Sequence, residues 1–216
     1  MAATLKLHSF FRSSAAYRVR IALNLKGLAY DYAPVHLLQG DQRKPDFQAL
    51  NPQSLVPVLE DGAQVLTQSL AIIEYLEETH PEPPLLPATP AARARVRALA
   101  QAIACDLHPL NNTRVLSYLT GPMGLSEDAK LTWYRHWIAE GLAALEATLA
   151  HDPARGRFCH GNAPGLADCC LVPQLANAYR FKCDVSPYPT LLAIEKNCQA
   201  LDAFQRAAPA RQPDAT

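Results

Sequence analysis

Up to about His80, apolar and polar residues alternate over short runs; beyond it, apolar residues fall at helical spacing. Leu5 and Leu7 share one face of an expected strand, and Tyr17 to Lys26 has the spacing of an amphipathic helix. Gly27 stands where a left-handed residue closes such a helix. A second strand is expected over Tyr30 to Val35. Val56 to Glu60 and Gln64 to Leu66 then flank Asp61-Gly62, a strong hairpin signal. From Gln68 to Thr79 helical spacing returns, with Leu70, Ile73 and either Tyr75 or Leu76 on one face. The expected order is β-α-β-(α)-β-β-α.

Pro81, Pro83, Pro84, Pro87 and Pro90 follow, a density that no helix or central strand tolerates, so a linker is expected with its boundary near residue 85. Beyond it, Val96, Leu99, Ile103 and Leu107 mark one helical face, and Trp133, Trp137, Gly141, Leu145 and Leu149 another. Pro109 should bend or break the first of these helices. The pattern divides the chain into an α/β domain over 1–83 and an all-α domain over 88–216.

Composition narrows the function. About half of the 216 residues are apolar, enough for one large core or two small ones. Lys plus Arg and Asp plus Glu each number 20 with no block of like charge, which argues against a nucleic acid or anionic membrane as partner and for a small molecule. No apolar run approaches the ~20 residues of a membrane span, and Met1-Ala-Ala-Thr-Leu-Lys6 does not read as a secretory leader, so a cytoplasmic protein is expected. The six cysteines lack metal-site spacing and read as reduced thiols, so no metal is expected.

Three short stretches carry candidate chemistry. Arg12-Ser13-Ser14-Ala15 lies on the turn from first strand to first helix, where free N–H groups and the helix dipole favour an anion such as a thiolate. The plainer reading makes one serine an N-cap. Val56-Pro57 precedes the hairpin; a cis bond there would leave the Val56 backbone free to pair with an extended peptide ligand. Gln68-Ser69 opens a second helix with an amide and a hydroxyl, a cap or a second anion site.

Taken in that order, with the proline-rich linker after them, these stretches resemble the zeta-class glutathione transferases. The similarity continues through Arg18-Val-Arg-Ile-Ala-Leu23, Phe47-Gln-Ala-Leu-Asn-Pro52, Leu171-Val-Pro-Gln174, Arg180-Phe-Lys182, Pro187-Tyr-Pro189 and Arg211-Gln-Pro-Asp214. It implies a thioredoxin-like α/β domain that binds glutathione as cofactor and an all-α domain that walls the substrate site. By position, Ser13 would donate to the glutathione sulfur with Ser14 and Ala15 beside it, and Val56 would pair with the cysteinyl backbone. Gln68 and Ser69 would hold the γ-glutamyl end, and Gln42 the glycyl carboxylate. Ala15 departs from the class, in which a cysteine is usual; a helix N-terminus and a hydroxyl suffice for a thiolate without it. Gly165 replaces the usual Ser or Thr cap at a cost of a few tenths of a kcal/mol.

The same resemblance places His108 and Asn112 near glutathione, and Arg114 and Arg180 at the substrate, with Arg12 as a third positive group at the mouth. Guanidinium groups grip carboxylates bidentately, which favours a dianionic substrate, and the resemblance implies a small dicarboxylic diketo acid. The implied activity is glutathione-dependent cis–trans isomerisation of maleylpyruvate or maleylacetoacetate, in gentisate or tyrosine catabolism, and Arg114 favours the first. The alternatives are transfer of glutathione to small α-halo acids and a non-catalytic glutathione-binding relative. A homodimer is expected on resemblance alone.

Overall fold

In a computed structural model, which describes residues 5–215, the chain forms two compact units. One runs to Leu85 and takes back the segment from Gln199; the other spans Leu86–Cys198.

The first unit contains β1 (Leu5–Ser9), α1 (Ser14–Leu25), β2 (Tyr30–Pro34), α2 (Pro45–Leu50), β3 (Val58–Asp61), β4 (Gln64–Thr67) and α3 (Ser69–Thr79). Its sheet has the order β2-β1-β3-β4, with β1 and β2 parallel and the other pairs antiparallel. Gly62, at φ 57, supplies the left-handed residue of the hairpin turn. The run from Tyr17 is less amphipathic than its spacing suggests. Residues 16–23 are all buried, including Arg18 and Arg20. Arg20 holds its charge inside by donating to Ser9 Oγ, Phe11 O and Ala207 O, each at 3.0 Å, and to Phe10 O at 3.4 Å. Burial pulls the pKa of its guanidinium down.

Those bonds explain a difference from the expected division at 88–216. The last helix, α9 (Asp202–Ala207, numbered after the helices of the second unit), belongs with the first unit. Arg20 reaches Ala207 O, Asn24 Nδ2 donates to Ala203 O at 3.0 Å, and Phe204 is fully buried. A buried ion pair ties α1 to α3 as well: Lys26 Nζ donates to Glu77 Oε2 at 2.8 Å, and to His80 O and Pro83 O.

The second unit is helical: α4 (Pro90–Gln101), α5 (Thr113–Thr120), α6 (Glu127–Ala150), α7 (Leu166–Arg180) and α8 (Pro189–Gln199). α4 buries Val96 and Leu99, then widens into a π-helical stretch at Ala102–Leu107 that buries Ile103 and Leu107. It tightens to a 3-10 turn at His108–Asn111, where Pro109 has no N–H to continue the ladder. On α6 the buried face is Tyr134, Ile138, Leu142, Leu145 and Leu149, not the stripe through Trp133, Trp137 and Gly141. Steps of four advance about 40° each around a helix, so an unbroken i, i+4 run drifts off its face, whereas the observed steps of 4, 4, 3 and 4 stay on it. Gly141 instead permits a close approach: a Cβ there would lie 2.6 Å from Leu107 Cδ2. At the start of α7, Gly165 caps without a side chain, and buried Asp168 accepts from Gly165 N and Cys159 N, each at 2.9 Å.

All six cysteines are free thiols, four of them buried. Among the described residues no helix is long and apolar enough to cross a membrane, and no group of three or more His, Cys, Asp or Glu could hold a metal ion.

Candidate functional site

The turn from β1 into α1 carries the first group of candidates. Ser13 N donates to Phe10 O at 2.9 Å, which closes the turn. Ser13 is the N-cap of α1, and its Oγ accepts from Ala16 N at 3.2 Å. A serine hydroxyl offers one donor and two acceptor positions. The cap occupies one acceptor position and leaves the O–H able to donate, beside N–H groups that have no intrahelical partner. Capping and anion binding are therefore compatible at Ser13. Ser14 is buried, Ala15 is half-buried, and Arg12 is exposed with its guanidinium carbon 5.0 Å from the Phe11 ring centre.

Val56 is brought close to that turn. It shares a buried cluster with Phe10, Phe11, Val35, Phe47 and Val58. The Val56–Pro57 peptide is cis, and the paired register of β3 starts only at Val58, so the Val56 backbone lies outside the ladder.

The N-terminus of α3 carries the next pair. Ser69 is buried, and its Oγ accepts from Arg18 NH1 at 3.2 Å, which links it to α1. Gln68 caps α3 at φ 68 and ψ 115, a region non-glycine residues occupy at a cost of about 1–3 kcal/mol, and one that concentrates at functional sites. Its Nε2 donates to Gln53 Oε1 at 2.9 Å. Gln42 sits on the 3-10 turn Asp41–Arg43, where its Oε1 is buried with no hydrogen-bond partner among the described residues, as is Nδ1 of His36. His36 had no sequence signal, since an isolated histidine between two expected elements is unremarkable.

In the second unit, His108, Asn112 and Arg114 form one local group. Asn112 caps α5, its Oδ1 accepting from Arg114 N at 3.1 Å, and its Nδ2 lies 3.2 Å from His108 Nε2. That amide nitrogen can only donate, so the contact is a hydrogen bond when His108 Nε2 accepts. Arg114 is exposed on the first turn of α5. Arg180 is the exposed last residue of α7, 3.4 Å from Asn177 Oδ1 and 4.9 Å from the Phe181 ring centre; Phe181 in turn stacks on Tyr134 at 3.8 Å. Gln174 Nε2 reaches Asn111 Oδ1 at 3.5 Å and so connects α7 to the turn that holds His108. A groove of about 580 Å³ along α4 and α6, walled by Leu99, Leu107, Trp137 and Leu145, contains none of these candidates.

A four-stranded mixed sheet whose first helix presents a serine at its N-terminus, followed by an all-helical unit, is the arrangement of the glutathione S-transferases. Residues 7–84 match that family's N-terminal domain and residues 138–194 its C-terminal domain, and the chain belongs to this family. Among its relatives, the maleylpyruvate isomerase of a Ralstonia species is 55% identical over 210 residues, 97% of this chain and 99% of that protein. A holo structure of maleylpyruvate isomerase, described as a bacterial zeta-class glutathione S-transferase, superposes with a TM-score of 0.96 at 55% identity, covering 98% of this chain and 100% of that one. Maleylacetoacetate isomerase from Methylobacterium extorquens AM1, solved with malonate and glutathione bound, gives a TM-score of 0.95 at 49% identity over 98% and 99% of the two chains.

Proposed function

We propose that this protein is a glutathione-dependent cis–trans isomerase that converts maleylpyruvate or maleylacetoacetate to its fumaryl isomer. The observation that carries the reading is Ser13, whose hydroxyl caps α1 through an acceptor position and keeps its proton for a ligand. Similarity to isomerases over nearly the whole chain supports it.

The residues present fit glutathione. The N-terminus of α1 suits the thiolate, the Val56 backbone outside the ladder suits an extended peptide, and the amide of Gln42 suits the glycyl carboxylate through its N–H donors. Gln68 and Ser69, at the second helix N-terminus, take the γ-glutamyl end. Glutathione, when bound, supplies a thiol whose conjugate base adds reversibly to an electron-poor alkene, which removes the double bond's barrier to rotation.

The chain's own residues do the rest. Ser13 would donate to the sulfur and the open N–H groups of α1 would stabilise its negative charge, with Ser14 and Ala15 next in sequence on the same turn. The family resemblance assigns His108 and Asn112 to the cofactor and Arg12, Arg114 and Arg180 to the substrate, a role that guanidinium groups suit because they pair with carboxylates. A relative solved with both malonate and glutathione bound supports a dicarboxylate as substrate. We assign the protein to the cytoplasm as a homodimer, with maleylpyruvate of gentisate catabolism as the preferred substrate because of Arg114.

The test is the decay of maleylpyruvate and, separately, maleylacetoacetate absorbance with and without glutathione, while free thiol is titrated. Rapid conversion that requires glutathione and leaves thiol unchanged is expected. Thiol loss matching substrate loss would replace isomerisation by transfer, and binding of glutathione with no conversion of either acid would leave only a binding protein.

A further inference from the structure

The segment Arg211-Gln-Pro-Asp214 is part of the sequence resemblance, yet the proposed chemistry gives it no task. In the fold it returns to the turn that precedes Ser13. Asp214 Oδ2 accepts from Phe11 N at 3.0 Å, and Oδ1 accepts from Tyr32 Oη at 2.6 Å. Ala215 packs against the cluster that contains Phe10, Phe11 and Val56. On the other side of the same peptides, Arg20 donates to Phe10 O, Phe11 O and Ser9 Oγ, and also holds the last turn of α9 through Ala207 O. Both hydrogen-bonding edges of Phe11 are thus fixed by charged groups that are more than 190 residues apart in one case and nine apart in the other. Ser13 N closes the turn on Phe10 O, so the position of the Ser13 hydroxyl follows from how Phe10 and Phe11 are held.

We infer that Asp214 is a positioning residue for the thiol site: the chain's last turns clamp the β1–α1 turn and so aim the Ser13 hydroxyl and the open N–H groups of α1 at the glutathione sulfur. This rests on the reading of Ser13 given above. Asp214 suits the task because its two oxygens serve two donors at once, one on the turn and one on β2. On that reading Gln68 and Ser69 hold the other end of the ligand from α3, bonded to Gln53 and Arg18 rather than to the clamp. Removing it should therefore change the state of the sulfur more than the affinity for the tripeptide.

The experiment follows the ultraviolet thiolate absorbance of glutathione bound to the full-length protein as pH rises, for wild type, D214A, D214N and Y32F, beside kcat and the glutathione dissociation constant. For D214A the thiol midpoint should rise by about one pH unit, a tenfold loss of thiolate at a given pH below it. kcat should fall about tenfold or more, within the ~10²-fold that a misplacement of ~1 Å costs, with affinity changed by less than about threefold. D214N, which keeps one acceptor for Phe11 N, and Y32F, which leaves the carboxylate on Phe11, should show smaller shifts, and D214N carries the test if D214A does not fold. The direction is diagnostic, because loss of a nearby carboxylate would by charge alone lower the midpoint. A folded D214A or D214N whose midpoint is unchanged or lowered, or a loss of thermal stability with the midpoint unmoved, overturns the inference. A wild type with no lowered midpoint overturns instead the reading of Ser13 on which it rests.

Discussion

Ser13 serves the fold and the proposed chemistry through different parts of one hydroxyl, and substitutions can separate them. Its oxygen accepts from Ala16 N at 3.2 Å as the N-cap of α1, a contribution of about 1 kcal/mol, whereas glycine at an N-cap costs only a few tenths. In the proposed chemistry the proton goes to the sulfur, and a donor aimed at developing charge is worth on the order of 10²-fold in kcat. S13A should therefore lose both, with Tm down by about 2–4 °C and kcat down by about 10²-fold. S13G should lose only one: Tm within about 1 °C of wild type, with kcat as low as that of S13A. S13T, which keeps acceptor and donor, should retain much of both. The assays are thermal denaturation by circular dichroism and initial rates at saturating glutathione. An S13G enzyme with wild-type kcat, or a series in which kcat simply tracks Tm, would refute the division of labour.

Three further outcomes are expected. K26M removes the fully buried ammonium from Glu77, His80 O and Pro83 O, and breaking such a pair costs about 3–5 kcal/mol, so Tm should fall on the order of 10 °C with no specific change in substrate KM. Asp152 is held below the ordinary carboxylate range by the Ala154 N–H and then by Arg95, so its contribution to stability is complete above its unfolded pKa and is lost as pH falls through the lowered folded value. The Tm difference between wild type and D152A should accordingly be large at neutral pH and shrink once the pH is below about 4, the ordinary aspartate range. R180K keeps the charge but loses the planar fork, so substrate KM should rise about tenfold, while the dissociation constant of glutathione, measured by calorimetry, should stay within about twofold.

Much of this was legible where the determinants are local. The alternation of Leu5 and Leu7, Gly27 after α1, the Asp61-Gly62 turn and the proline that ends the π-helical stretch all act within a few residues of themselves. Ser13, Ser69 and Asn112 sit at the starts of helices, where their type and place suggest a cap; only the family resemblance singled them out as site residues. Long-range contacts were not legible. Nothing near Asp214 announces that it meets Phe11, and nothing near Arg18 or Arg20 says that their guanidinium groups turn inward rather than to solvent. The drift of the i, i+4 stripe on α6 is a different kind of miss: the residues were apolar, but the period had to alternate between three and four to keep one face. The left-handed backbone of Gln68 and the buried Nδ1 of His36 depend on surroundings that no local pattern encodes.

The most direct test of the account is a proton NMR time course of maleylpyruvate or maleylacetoacetate in large excess over glutathione, with enzyme at catalytic concentration. If glutathione is returned in every cycle, conversion to the trans isomer should run to completion with many turnovers per glutathione, and the free tripeptide's resonances should be undiminished at the end. A reaction that halts after one equivalent of glutathione, with its cysteinyl signals shifted into a stable thioether, would contradict the assignment as an isomerase.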